Sequence, residues 1–245
     1  MFDKTLGKLS GLGVTVLGKK RAKVHLLHVG KTGGTAVKHA FKSSGSKANR
    51  LIVLHPHSTT LRNIPEGEGV IFFLRDPLSR FESGFLSRQR QGRPRYFSPW
   101  NPGEEAAFTR FETPNGLALA IDSSNEVLRG EAIKAMRSIQ HVRSHYRDWF
   151  ESQAYVLERA NDIFFVGFQE SLVGDFERLK AELGLPMEAS LPEDNVIAHK
   201  RPTSVAEPLE AHARQNLMRW YADDLKFLDF CKARFGRRDE GLEKP

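Results

Sequence analysis

A short stretch near the amino terminus combines residue types that bind phosphate. An apolar run over residues 24–29, rich in valine and leucine, ends at Gly30 and is typical of a buried strand. The turn that follows supplies backbone N–H groups, two glycines, two hydroxyl groups and one ammonium group, and we expect a helix to begin near Thr35. Since the amino end of a helix is positive, the segment predicts an anion site. Its residues are Lys31, Thr32, Gly33, Gly34, Thr35 and Ala36.

The order of these residues differs from the Walker A loop of nucleoside-triphosphate-binding proteins. That loop has a glycine five residues before its Gly-Lys pair, where this chain has His25. In addition, Lys31 precedes the glycine pair here instead of following it. An ordinary strand-to-helix turn with a solvated lysine remains the alternative interpretation of this segment alone.

A second strand-to-helix junction carries an arginine. The apolar run 70–74 predicts a buried strand, Asp76 is a good N-cap residue and Pro77 is typical of the first helical position. Arg75 is then left at the carboxyl end of the strand, where its planar guanidinium suits a phosphate dianion. Ser83 shares that anion only if the helix is aimed toward it. A surface arginine paired with Asp76 is the alternative.

A third apolar run, residues 51–54, ends in two histidines. Imidazole titrates near neutral pH, so His57 is a candidate general base that takes a proton from an attacking hydroxyl. His55 is either its orienting partner or a residue that points into the core. Residues 55 and 57 share a face for as long as the strand continues, but Pro56 can end its regular alternation. Structural or metal-binding histidines are the alternative. We expect no metal, since the segment has no adjacent Cys, Asp or Glu.

Together these segments resemble the sulfotransferases that use 3′-phosphoadenosine 5′-phosphosulfate (PAPS). Residues 31–35 resemble the loop that holds the 5′-phosphosulfate, and Arg75-Asp76-Pro77 followed by Ser83 looks like the 3′-phosphate motif. The His-x-His of residues 55–57 is similar to the heparan sulfate 2-O-sulfotransferase branch. The resemblance implies a P-loop-like sulfotransferase fold and transfer of a sulfuryl group to a hydroxyl of a carbohydrate. The product would be 3′-phosphoadenosine 5′-phosphate (PAP).

This reaction gives roles to particular residues. His57 acts as the base, His55 is a further catalytic candidate, and Lys31 stabilises negative charge on the departing phosphate oxygen. The scheme requires no metal ion. The resemblance also implies that a C-terminal loop closes over the nucleotide. The expected cofactor contacts are Lys31, Thr32, Gly33, Gly34, Thr35, Ala36, Arg75, Ser83, Lys200 and Arg201.

Composition narrows the remaining choices. A chain of 245 residues with 40% hydrophobic residues predicts one domain over 1–245, in which 1–23 form a basic N-terminal extension. The net charge of +7 favours anionic partners; nucleic acid would also satisfy it, but we expect PAPS and an acceptor instead. The single cysteine excludes an intrachain disulfide. No apolar run approaches the roughly twenty residues of a membrane span, so we expect a cytoplasmic, bacterial member without the anchor of the animal Golgi enzymes.

The architecture follows from the rhythm of strands and helices. A fourth apolar run at 163–166 precedes a helix predicted over 169–183, which we expect to bury Leu172, Val173, Phe176, Leu179 and Leu183. Residues 104–160 and 207–230 also look helical, and the basic stretch 88–100 predicts a loop that holds a charged acceptor or is simply solvated. The predicted fold class is α/β, a parallel sheet flanked by helices, with its ligand beyond the carboxyl ends of the strands.

Two further functions stay open. A nucleotide kinase would use the same strand-loop-helix unit, but would need a complete Walker A pattern and acids that hold a metal. A noncatalytic PAP- or PAPS-binding protein would keep the phosphate motifs and lack turnover.

Overall fold

Four parallel strands form the sheet in the computed structural model, which describes residues 21–192 and 208–236. The strands stand in the order β2-β1-β3-β4, and β3 and β4 consist mainly of the valine, isoleucine, leucine and phenylalanine residues that suit a buried parallel sheet. Val24 pairs with Ile52, Leu26 with Ile71 and Phe72 with Val166. The bounds are β1 Lys23–Leu26, β2 Leu51–Leu54, β3 Gly69–Leu74 and β4 Ile163–Phe168.

The helices follow the strands in the alternation expected of an α/β protein. Long connections carry the chain from one parallel strand to the next, and the longest of them, between β3 and β4, contains most of the helices. The bounds are α1 Gly34–Ser44, α2 Pro77–Gln89, α3 Pro102–Arg110, α4 Pro114–Ala120, α5 Glu126–Ser138, α6 Arg147–Phe150, α7 Gln153–Glu158, α8 Leu172–Glu182, α9 Ala211–Trp220 and α10 Ala222–Phe235.

Different helices cover the two faces of the sheet. Phe73 of β3 belongs to a buried cluster with Val37 of α1 and Phe176 of α8. Its neighbour Phe72 points to the opposite face and packs in a cluster with Phe227 of α10. Because both faces are buried, β3 is apolar at every position after Gly69 instead of alternating.

A third apolar cluster lies among the helices between β3 and β4. Phe85 of α2, Phe108 of α3 and Met136 of α5 pack there with Leu217 of α9. This helical layer fixes the direction of α2, and therefore the position of the residues at its amino end.

The α/β class and the parallel sheet predicted from the sequence are confirmed, while some local predictions were wrong. The strand expected over 24–29 ends at Leu26, although Leu27 and Val29 are still buried. Val173, predicted in the core, is 71% exposed, because α8 meets the sheet through Phe176 and Leu179. Within the described residues, no helix has the length and apolar character that crossing a membrane requires.

Candidate functional site

The carboxyl ends of β1, β2 and β3 open into one cavity of about 920 Å³. Most of the residues predicted from the sequence line it, although they come from three separate parts of the chain. A parallel sheet explains this convergence, since the connections after its strands all emerge at the same edge. The predicted residues in the wall are Lys31, Gly33, Gly34, Thr35, Ala36, His57, Arg75 and Ser83.

The amino end of α1 is left without a side-chain cap. Gly33 occupies the N-cap position with a φ of 87°, its lack of a side chain permits this conformation, and the first turn contains no acidic residue. Gly34 approaches His28 so closely that a Cβ at this position would lie 2.5 Å from the imidazole Cδ2. The loop therefore presents uncapped helical N–H groups to the cavity, which is the arrangement that binds anions.

Thr32 has a different role from its neighbours. Its hydroxyl donates to the carbonyl oxygen of Val29 at 3.0 Å, and the residue is buried. Thr32 is not among the residues in the cavity wall. Its side chain shapes the loop, and of the two threonine hydroxyls predicted to contact the anion, that of Thr35 is the one whose residue lines the cavity.

Two cationic side chains share this end of the cavity. Burial, with the nearby Arg75 and Arg90, lowers the pKa of Lys31 to about 8. Burial also lowers the pKa of Arg75, whose Nε is buried and has no hydrogen-bond partner among the described residues. The Nη1 atom of Arg75 makes only a long contact of 3.4 Å to the carbonyl oxygen of Lys31. Since desolvated donors of this kind cost free energy when unpaired, bound anionic groups would stabilise these side chains.

The backbone of Arg75 is held by one phenol. The Tyr146 hydroxyl accepts a hydrogen bond from the Arg75 N–H at 3.0 Å and donates one to the Arg75 carbonyl oxygen. Tyr146 is fully buried. At the next residue along the chain, the Asp76 N–H donates to the Glu170 carboxylate at 2.7 Å. Arg75 therefore leaves β3 at a fixed point and direction.

His57 lines the cavity, and one of its ring nitrogens is held by the backbone. Its Nδ1 lies 3.1 Å from the carbonyl oxygen of His28, and because a carbonyl only accepts, Nδ1 carries the proton in this contact. The Trp149 indole N–H donates to the His57 carbonyl oxygen at 2.9 Å, and the His57 ring packs at a tilt against His28, with the ring centroids 3.7 Å apart. Partial burial lowers the pKa of His57, the bond to His28 opposes this, and Lys38 and Lys31 lower it further. The His57 ring is therefore neutral, and its Nε2 lone pair is available.

His55 belongs to another group of side chains. Its Nε2 lies 2.8 Å from Nδ1 of His25, whose Nε2 in turn lies 2.6 Å from a carboxylate oxygen of Glu68. The strand ends at Leu54 before the two histidines, so the shared face considered from the sequence does not exist. His55 is absent from the cavity wall and does not orient His57.

Besides His57, the cavity wall contains His28, His39 and His141, none of which the sequence reasoning assigned to the site. His141 lies on a turn with a φ of 70°, within the stretch 104–160 that was expected to be helical. Its ring centroid is 6.0 Å from that of His57, and burial, then Lys31 and His57, lower its pKa to about 3. The turn approaches α2 at Gly84, where an added Cβ would lie 3.2 Å from the His141 Cβ. A glycine inside a predicted helix was the available signal for this close approach.

The far wall of the cavity is apolar. The basic stretch 88–100 contributes Arg95 and Tyr96 to the cavity, whereas Arg88 lies in the last turn of α2 and forms a buried ion pair with Glu104 at 2.6 Å. Arg88 is therefore not part of a loop that holds an acceptor. Lys200 and Arg201 lie outside the described residues. The apolar wall is formed by Leu172, Val173, Phe176, Leu191 and Pro192.

Comparisons with protein-family models and with curated proteins found no match for this chain. The function is therefore argued from the cavity and its side chains.

Proposed function

We propose that the protein is a PAPS-dependent sulfotransferase that transfers a sulfuryl group to a hydroxyl, with a carbohydrate as the acceptor class. One observation carries the proposal: two anion holders of different construction, the uncapped loop at Lys31–Ala36 and the pair Arg75 and Ser83, line one cavity. Two holders suit a nucleotide that carries phosphate groups at two separate positions. The P-loop-like sulfotransferase fold and a cytoplasmic, bacterial setting belong to this proposal.

The residues present fit such a nucleotide. The buried Nε of Arg75 has no acceptor among the described residues, and the uncapped start of α1 supplies N–H donors. Leu172, Val173 and Phe176 form an apolar wall in the same cavity, which suits the face of a nucleobase.

His57 and Lys31 divide the chemistry between them. Bound PAPS supplies the activated sulfuryl group. His57 Nε2 takes the proton of the acceptor hydroxyl as that oxygen bonds to sulfur, and the Lys31 ammonium stabilises the charge that develops on the 5′-phosphate oxygen as its bond to sulfur breaks. The neutral His141 faces the same space and offers a hydrogen bond without adding charge.

The residues that line the cavity support a nucleotide kinase less well than a sulfotransferase. Kinases hold Mg²⁺ with acidic side chains beside the phosphates. Among the described residues that line the cavity, Glu177 on α8 is the one carboxylate, on the helix that forms the apolar wall. A cavity rich in Lys, Arg and His favours transfer in which the charge is balanced by cationic side chains.

Calorimetric titration with PAP, adenosine 5′-phosphate and ATP tests the nucleotide assignment. We expect PAP to bind at least tenfold more tightly than adenosine 5′-phosphate, and Arg75→Ala to remove most of this difference, because a charge-assisted pair to the 3′-phosphate is lost. Arg62→Ala, at an exposed ion pair outside the cavity, is the matched control. Equal binding of the two nucleotides, or preference for ATP, would contradict the proposal.

Turnover separates an enzyme from a noncatalytic binding protein. We expect His57→Ala to reduce sulfuryl transfer by roughly 10²–10⁴-fold, the usual contribution of a general base, and to change PAP affinity by less than threefold. His55→Ala is the control and should retain most activity, since His55 pairs with His25 away from the cavity. Equal loss in both variants would refute the role given to His57.

A further inference from the structure

Arg75 is the first residue after β3, and no described strand pairs with its backbone. Strand β1 ends at Leu26, and the last pair between β3 and β4 joins Leu74 to Phe168. The Arg75 N–H and carbonyl oxygen bond instead to a single side-chain atom, the hydroxyl oxygen of Tyr146. A phenol that both accepts from and donates to one residue provides the two bonds that a neighbouring strand provides within the sheet.

The position of the Tyr146 hydroxyl is fixed by the elements around the ring. The Tyr146 N–H donates to the Asp224 carboxylate of α10 at 2.5 Å, and the ring packs against Phe227 with the centroids 5.5 Å apart. On α2, the Arg80 guanidinium lies 5.3 Å from the ring centroid and donates to the Gly30 carbonyl oxygen at 3.1 Å. Tyr146 and Arg80 are 0% and 1% exposed, so the phenol is enclosed on its way to Arg75.

The guanidinium of Arg75 has much weaker support than its backbone. Its Nε is buried without a hydrogen-bond partner among the described residues, and its Nη1 makes only the long contact to the Lys31 carbonyl oxygen. Side-chain contacts of this kind leave the direction of the guanidinium to the backbone from which it starts. The bonds of that backbone to Tyr146 therefore determine where the guanidinium is presented to a ligand.

We propose that Tyr146 is a positioning residue that sets the selectivity of the site for a 3′-phosphate. Tyr146 does not line the cavity of the site, so it acts through Arg75. The inference rests on the proposed function, in which Arg75 holds that phosphate. Without the hydroxyl, the Arg75 N–H and carbonyl oxygen lose their partner, and the backbone shifts toward new ones. The guanidinium then leaves the place from which it donates two parallel hydrogen bonds to the phosphate.

Tyr146→Phe tests this role, because it removes one oxygen atom and keeps the ring. We expect calorimetry to show that PAP binds about fivefold more weakly or worse, since the contact between Arg75 and the 3′-phosphate is misplaced. Adenosine 5′-phosphate, which lacks the 3′-phosphate, should bind within about twofold of its wild-type affinity, because the loop after β1 is unchanged. The readout is the ratio of the two affinities.

Tyr221→Phe is the matched control. Tyr221 is 1% exposed, and its hydroxyl also donates to a backbone carbonyl oxygen, that of Val142, at 2.7 Å. Both variants should lower the midpoint of chemical denaturation, because each loses a buried hydrogen bond. Only Tyr146→Phe should change the ratio of the two affinities. An equal fall of both affinities in Tyr146→Phe, or the same ratio in the two variants, overturns the inference.

A double-variant cycle shows whether Tyr146 acts through Arg75. In an Arg75→Ala background the guanidinium is absent, so adding Tyr146→Phe should leave the ratio unchanged. A further loss of selectivity in that background would mean that Tyr146 affects the ligand by another route, and it would overturn the inference. A wild-type protein that binds PAP and adenosine 5′-phosphate equally contradicts the proposed function, and the inference fails with it. A wild-type preference for PAP that Tyr146→Phe retains overturns the inference alone.

Discussion

The two strand-to-helix junctions of the site differ in how the amino end of the helix is capped. Where β3 meets α2, Asp76 caps the helix by accepting from the Ser79 N–H at 2.8 Å, and Pro77 occupies the first turn. Where β1 meets α1, Gly33 is the N-cap and no side chain accepts from the first turn. The amino end of α2 is capped by a side chain of the protein, whereas the N–H groups at the amino end of α1 are left for a ligand.

This difference shows that a helix dipole alone does not make an anion site. Both helices begin at the carboxyl ends of neighbouring parallel strands, and both have a positive amino end. At α2 the Asp76 carboxylate already occupies that end, so the cavity receives the guanidinium of Arg75 instead. At α1 the N–H groups themselves are available. A bound anion is therefore expected to contact backbone at one junction and side chains at the other.

A glutamate placed in the first turn of each helix should separate the two junctions most clearly. We expect Thr35→Glu to weaken PAP binding on the order of 100-fold, because its carboxylate occupies the place of the anion. Ser79→Glu, in the first turn of α2, should change the affinity by less than threefold. Both variants should fold, since acids stabilise helix amino ends. Calorimetry measures the affinities, and an equal loss at the two positions would mean that the junctions are not distinct.

The pH dependence of binding gives a smaller effect at the α1 junction. The bound anion favours protonated Lys31, whose pKa is about 8 in the free protein. PAP affinity should therefore be nearly constant between pH 7 and pH 8 and fall by up to about tenfold per pH unit above that. Lys31→Arg, which stays charged, should remove the alkaline decline. A decline that persists in this variant would have to come from another group.

The smallest expected effect lies at the α2 junction. Asp76→Ala should lower the free energy of unfolding by about 1 kcal/mol, because an N-cap bond is lost. Asp76→Asn retains the cap and should retain the stability. PAP affinity should change less than threefold in both, as measured by calorimetry beside chemical denaturation. A large loss of affinity in Asp76→Asn would show that this carboxylate serves the ligand.

Local patterns were sufficient to predict the elements and much of the site. The cap at Asp76, the buried strand before it and the glycine turn after β1 depend on residues close in sequence. The pairing of His55 with His25 depends on β1 and β2 being neighbouring strands in the sheet. His141 depends on a turn with positive φ that approaches Gly84 from another part of the chain. Contacts made by tertiary placement leave no periodic signal in the sequence.

The parallel sheet also has a consequence for how this protein folds. Strand β3 lies between β1 and β4, but all of residues 75–162 must be brought into place before Phe72 can pair with Val166. Closing so long a loop costs chain entropy before any contact of the pair repays it. We expect the central pair of strands β1 and β3, with α1, to become ordered early, and the addition of the edge strand β4 to be the slow step of folding.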